Sequence, residues 1–183
     1  MNDDNKTEAH DKLGKISEGR LWAPWRMKYI QAAADGEEEE CFLCTNPAVD
    51  DSPANLILHR DEHCFIIMNL YPYNNGHLMV APYRHEQNFL HLTDGELMET
   101  LKLTQMCMQA LDMTMHPHGY NVGWNLGRIA GAGVEEHLHQ HIVPRWNGDT
   151  NFMPVTAETK VISESLHEGW TRLKEAFDSL RTA

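Results

Sequence analysis

The sequence predicts an α+β domain built mainly on an antiparallel sheet. Three observations carry this: four short apolar β-prone runs, a central amphipathic helix between the first pair and the second, and a further amphipathic helix near the C-terminus.

The first two strands are residues 63–69 (His-Cys-Phe-Ile-Ile-Met-Asn) and 77–81 (His-Leu-Met-Val-Ala). Between them, residues 70–76 carry Pro72 and an Asn75-Gly76 step, turn chemistry that makes the pair a hairpin or meander with a wide connection. The central helix begins at Thr93-Asp-Gly-Glu96, which has capping-box spacing. Leu97, Leu101, Thr104, Met108, Leu111 and Met115 then recur at steps of four and three, the pattern of one buried helical face, and Pro117 and Gly119 end it. Residues 120–126 and 137–143 supply two more strands around a glycine-rich loop, 127–133, and Pro144 stops the second because it cannot donate to a ladder. In the last helix Ile162, Leu166, Trp170, Leu173, Phe177 and Leu180 share a face.

With 183 residues, 42% of them hydrophobic and 23% charged, the chain holds enough apolar material for one globular domain. Residues 1–19 read as a polar, flexible N-terminal extension and 20–183 as the domain. Residues 19–30 crowd two tryptophans and three cations, which suits a packing arm or dimer contact, or an approach to an anionic aromatic ligand. The acidic run 37–40 reads as solvated loop. A net charge of −12 argues against a nucleic-acid surface, so an anionic substrate needs a local cationic site. No run approaches the roughly 20 apolar residues of a membrane helix, and the first twenty residues lack the apolar stretch of a signal peptide. A cytoplasmic location without membrane contact is the expectation. Four cysteines stand at 41, 44, 64 and 107; disulfide scaffolding is not expected, and Cys64 and Cys107, set inside a strand and a helix, read as core residues.

Chemistry is concentrated at His137, His139 and His141. On a strand alternate side chains share a face, so these three imidazoles would line one cleft at intervals of about 7 Å, with Leu138 and Ile142 facing the core. A metal patch is one reading of such a row. The other is covalent catalysis: a neutral imidazole attacks phosphorus and forms a phosphoramidate that a second acceptor opens. The glycine-rich loop could bring backbone N–H groups to the phosphate oxygens.

Three passages in order carry a resemblance to the histidine triad (HIT) family of nucleotide hydrolases and transferases. They are residues 68–70 through 75–82, Asn125-Leu126-Gly127 with its loop, and residues 137–145 continuing to Gly148-Asp149. With Cys41 and Cys44 they span roughly residues 41 to 153. The resemblance implies the HIT-like fold, with a central and a C-terminal helix. It implies His139 as the nucleophile that takes a nucleoside monophosphate from an α-phosphate, and His141 as a hydrogen-bond partner of the phosphate or leaving group. His77 would be a supporting histidine, Asn69 would sit at the ribose, and Asn125 would contact the phosphate. Gly131 and Gly133 of the loop complete the substrate-binding set. Cys41-x-x-Cys44 is a common half of a zinc site, and the resemblance implies His85 and His137 as its partners in a structural zinc site. Two unrelated reduced cysteines are the alternative. Homodimerisation is likewise an expectation from the family.

Two positions depart from the family pattern. Gln140 replaces a usual apolar residue, which suggests a polar partner or a subunit interface on that side. The loop ends Gly131-Ala132-Gly133-Val134 and lacks a phosphate-holding serine. The reading is therefore an enzyme acting on dinucleoside polyphosphates or nucleoside phosphoramidates, hydrolysis being favoured by the missing serine. A phosphorylase using inorganic phosphate is the alternative, and residues 69–77 with 144–146 and 151–152 resemble that bacterial branch most. A non-catalytic nucleotide-binding module and a metal centre on all three triad histidines are the other readings.

Overall fold

The computed structural model describes residues 40–149 and 164–181. The expected N-terminal extension, the tryptophan segment at 19–30, residues 37–39 of the acidic run, residues 151–152 and Ile162 lie outside the described residues.

Five strands form one antiparallel sheet: β1 (Ile57–Arg60), β2 (Cys64–Met68), β3 (Leu78–Pro82), β4 (Gly119–Trp124) and β5 (Gln140–Arg145), in spatial order β1-β2-β3-β5-β4. Among the described residues three α-helices accompany it: α1 (Phe42–Thr45), α2 (Asp94–Met115) and α3 (Leu166–Arg181). This is the predicted α+β architecture with a central and a C-terminal helix. No described helix is long and apolar enough to cross a membrane.

Central strands β2 and β3 pair without interruption from Cys64↔Pro82 to Met68↔Leu78 and are buried along their whole length, which is why both read as continuous apolar runs. Strand β1 escapes the sequence reading because two of its four residues, His59 and Arg60, are polar. It forms because Ile57 and Leu58 are fully buried. Helix α3 fastens it: Trp170 Nε1 donates to the Ile57 carbonyl at 2.9 Å and Lys174 Nζ to the Leu58 carbonyl at 3.2 Å. Leu173 and Phe177 of α3 are fully buried as the periodicity predicts.

Helix α2 starts where the capping box places it. The Glu96 N–H donates to the Thr93 hydroxyl at 3.2 Å, and the Thr93 N–H donates back to Glu96 Oε2 at 2.8 Å. His116 caps its C-terminus in the left-handed conformation (φ 48°), with Pro117 next. The buried stripe differs from the predicted one. Thr100, Leu103, Thr104, Cys107, Ala110 and Leu111 face inward, whereas Leu101 is 59% exposed. Apolar residues lie on two sides of this helix, so periodicity alone offers two stripes. The small side chains Thr100, Thr104, Cys107 and Ala110 pick the inner one by letting the helix approach the sheet.

Two local features position the site. Gly76 has φ +70°, and a Cβ there would meet Leu111 Cδ2 at 3.0 Å as well as the Met115 sulfur, so only glycine lets the 70–76 loop seat against the end of α2. Strand β5 begins at Gln140 rather than at His137. Its pairing with β3 ends at Val80↔Gln140, and upstream the chain is held instead by Leu138 N–H donating to the Glu86 carbonyl at 2.7 Å. Nor does Pro144 end the strand, which continues to Arg145 opposite β4. The Pro144 carbonyl faces the side beyond the end of β3, where it accepts from Asn74 Nδ2 at 2.9 Å, so the missing N–H of Pro144 breaks no ladder bond there.

Candidate active site and metal group

The wide connection between β2 and β3 builds a hydrogen-bonded chain of histidines. His77, 1% exposed, receives two donors at one nitrogen: the main-chain N–H of Tyr73 at 3.0 Å and Asn69 Nδ2 at 3.3 Å both point at Nδ1. The orientation of the Asn69 amide is set independently, because its Oδ1 accepts from Tyr71 N–H at 2.9 Å. Two donors at Nδ1 leave the His77 proton on Nε2, which lies 3.0 Å from His141 Nδ1. His141 thus accepts at Nδ1 and carries its own proton on Nε2, 3.2 Å from the Asn125 amide. The atom placed there is Asn125 Nδ2, and a flip of this amide presents the Oδ1 acceptor that a proton on His141 Nε2 requires. The described hydrogen bonds of this chain then run in one direction, from Asn69 and the 70–76 loop toward Asn125.

His139 is oriented differently. Its Nδ1 lies 2.8 Å from the carbonyl oxygen of His137, which only accepts, so Nδ1 holds the proton and Nε2 holds the lone pair. The ring is 6% exposed and its centroid stands 4.8 Å from that of His141. Burial holds its pKa below the ordinary histidine value, which keeps the imidazole neutral. An uncharged ring with a bare Nε2 beside an N–H donor, His141 Nε2, can act as a nucleophile toward an electrophile bound between them.

His137 does not join this pair. Because it precedes β5, its ring turns toward the cysteine segment. Its Nδ1 lies 3.4 Å from the Sγ of both Cys41 and Cys44, and His85 Nδ1 lies 3.3 Å from Cys44 Sγ. One donor atom from each of Cys41, Cys44, His85 and His137 falls within 4.8 Å of all the others. Tetrahedral zinc with its usual bond lengths places ligand atoms about 3.3–3.8 Å apart, so the group fits such an ion with only small closure. His137 Nε2 donates to the Pro82 carbonyl at 2.8 Å, which frees Nδ1 for a metal and fixes the ring as outer partners of metal-bound histidines do. Burial pushes the Cys41 thiol up to about 11 and the fully buried His137 down to about 4, so loading a cation here displaces thiol protons and meets an already neutral imidazole.

The remaining sequence-predicted residues are placed as follows. Gly131 and Gly133 lie on the loop leading into His137, Gly131 with φ +91° and Gly133 exposed. Gln140 is buried and accepts a hydrogen bond from the Thr104 hydroxyl, so its polar partner is helix α2 of the same chain. Cys64 and Cys107 are fully buried, and burial raises both thiols, in keeping with core residues. Sequence reasoning missed a clamp around the connection. Arg145 grips Asp149 with two bonds, of 2.6 and 2.9 Å, and Asp149 also accepts from Asn74 at 3.0 Å. These residues were visible within the family passages, but spacing alone gave them no partner. A cavity of about 420 Å³ lies beside Asn74, Trp146, Asp149 and Arg172 and includes none of the histidines, so residue chemistry rather than cavity size singles out the site.

The HIT domain pattern matches residues 50–148 of this chain. The chain belongs to the HIT family. It is 39% identical over 154 residues to AP-4-A phosphorylase of Mycobacterium tuberculosis, covering 81% of this chain and 79% of that protein. Among solved structures it is similar to a Zn-bound histidine triad family protein from Mycobacterium smegmatis, with a TM-score of 0.61 and 22% identity over 77% of this chain and 94% of that one. A hypothetical histidine triad nucleotide-binding protein from Sulfolobus tokodaii strain7 matches at the same TM-score of 0.61, with 26% identity and the same shares, 77% and 94%. The first likeness rests on sequence over most of both chains. The Mycobacterium smegmatis likeness speaks to the HIT fold.

Proposed function

We propose that this HIT protein is a nucleotidyl transferase acting on dinucleoside polyphosphates through a covalent nucleotide on His139. The observation that carries the proposal is the bare, neutral Nε2 of His139 beside the His141 N–H. In the first half-reaction Nε2 bonds to an α-phosphorus and the bond from that phosphorus to its bridging oxygen breaks. The remaining nucleoside polyphosphate leaves while His141 Nε2–H hydrogen-bonds the departing oxygen. In the second half an acceptor oxygen attacks the same phosphorus and Nε2 departs. Asn69 would hold the ribose, Asn125 and the backbone at Gly131 and Gly133 the phosphate, and His77 the orientation of His141.

Inorganic phosphate is the acceptor in this proposal, because the relative that matches over 81% of the chain is named a phosphorylase. The missing loop serine favours water instead, and the products distinguish the two acceptors. Phosphate as acceptor yields a nucleoside diphosphate and water yields a monophosphate. The expected result is diphosphate formation that depends on added phosphate; monophosphate formed equally well without phosphate would show a hydrolase. An inactive nucleotide-binding module would release neither product.

Zinc is proposed to occupy the group of Cys41, Cys44, His85 and His137. Four protein ligands leave no open position, so the ion would tie the cysteine segment to the nucleophile's neighbour rather than activate water. A homodimer is proposed as well. Strand β4 is a sheet edge with Val122 44% exposed, an edge that a second copy would cover. A sedimentation mass of one chain would remove that expectation.

A further inference from the structure

Tyr73 stands on the outer side of the histidine chain. Its ring centroid is 4.7 Å from that of His77 and 5.5 Å from that of His141, tilted by 35° and 37°, so one aromatic ring leans on both partners of the 3.0 Å bond between them. The two histidines are buried, at 1% and 8% exposure, while Tyr73 is 41% exposed. The tyrosine therefore covers this hydrogen bond from a partly exposed position. Its main-chain N–H is also a donor to His77 Nδ1, so the same residue sets the His77 tautomer and covers the bond that the tautomer creates.

We propose that Tyr73 is a positioning residue: its ring excludes water from the His77–His141 bond and so keeps the His141 proton on Nε2, aimed at the reacting phosphate. The physical reason lies in the ambiguity of imidazole. Water admitted at His77 Nε2 or His141 Nδ1 can donate or accept, so either tautomer of His141 becomes tolerable. Behind a ring that offers no lone pair or acidic proton on its inner face, the arrangement that satisfies the described bonds is the one that runs from Tyr73 N–H to His141 Nε2–H. The neighbouring anchor holds the loop in register for this: Asn74, buried at 6% exposure, donates to the Pro144 carbonyl and to Asp149. The phenol oxygen has no part in the proposal; the ring does the work.

The idea rests on the reading of His141 as a donor in phosphoryl chemistry, but its test can be separated from that reading. Long-range proton–nitrogen correlation on the whole protein, without substrate, reports which ring nitrogen of each histidine is protonated. In the natural protein His77 Nε2–H should be visible and slow to exchange with water, and His141 should be protonated at Nε2 alone. Tyr73→Ala, a truncation at a partly exposed site, should give fast exchange and mixed tautomers at His141. Tyr73→Phe should restore both signals. In turnover Tyr73→Ala should lose about tenfold or more in kcat, part of the contribution of an oriented acid–base group, with KM within about threefold. A His77 proton that already exchanges freely in the natural protein would overturn the proposal, and so would an unchanged His141 tautomer in Tyr73→Ala. If the natural protein turned over no dinucleoside polyphosphate, the functional reading would fall, while the tautomer and exchange measurements would still decide the role of Tyr73.

Discussion

His139→Ala is expected to lower turnover of a dinucleoside polyphosphate by about ten-thousand-fold or more, the scale on which loss of a covalent nucleophile acts. Nucleotide binding should survive with little change. The residues proposed to hold ribose and phosphate, Asn69, Asn125 and the glycine loop, make no hydrogen bond to the His139 ring, whose Nδ1 is directed to its own segment at the His137 carbonyl. The substitution removes the ring that stands edge-on to His141, but the 3.0 Å His77–His141 hydrogen bond does not pass through His139. Steady-state kinetics paired with calorimetric binding of a nucleotide separates the two effects. Loss of binding in step with turnover would make His139 a structural prop, and turnover near the natural level would remove it from the reaction.

The second large effect concerns the metal group. Zinc should co-purify at one ion per chain, and Cys44→Ser should abolish retention because Cys44 Sγ is shared between His85 and His137, at 3.3 and 3.4 Å. An ion held only by the folded chain, at a free concentration a thousand times its dissociation constant, stabilises by about 4 kcal/mol, so the variant or the chelated protein should melt well below the natural one. The direction of pH dependence follows from the thiols. With Cys41 raised to about 11 in the metal-free group, cation binding must expel protons and should weaken as pH falls. Metal analysis, thermal melting and a chelator titration check these outcomes. A chain purified with no metal and melting unchanged after chelation would leave the four residues as a reduced hydrogen-bonded cluster.

Much of this architecture was legible in the sequence, and the exceptions have physical causes. Strands β2 and β3 announced themselves because both are wholly buried, and α2 because Thr93 and Glu96 form its capping box. Strand β1 did not, since His59 and Arg60 break a four-residue pattern whose strand character comes from pairing with β2 and from the side chains of Trp170 and Lys174. Alternation placed His137 on the same face as His139 and His141. It failed there because alternation holds only within a regular strand, and the strand starts at Gln140. That failure is informative, since the irregular lead-in is what lets neighbouring histidines face different chemistry, His137 toward two thiols and His139 toward its partner His141. The direction of the hydrogen bonds was not readable at all. It depends on the Tyr73 N–H and on the carbonyls of His137 and Pro82, main-chain groups that side-chain identity does not reveal.

The most direct measurement is rapid acid-free quenching of the natural protein during turnover of a dinucleoside polyphosphate, followed by peptide mass mapping. With inorganic phosphate withheld, a nucleoside monophosphate should be found on the peptide containing residues 137–141, attached at His139, and should disappear when phosphate is added. Full turnover with no protein-bound nucleotide at any time, or a nucleotide attached to a different side chain, would contradict the account.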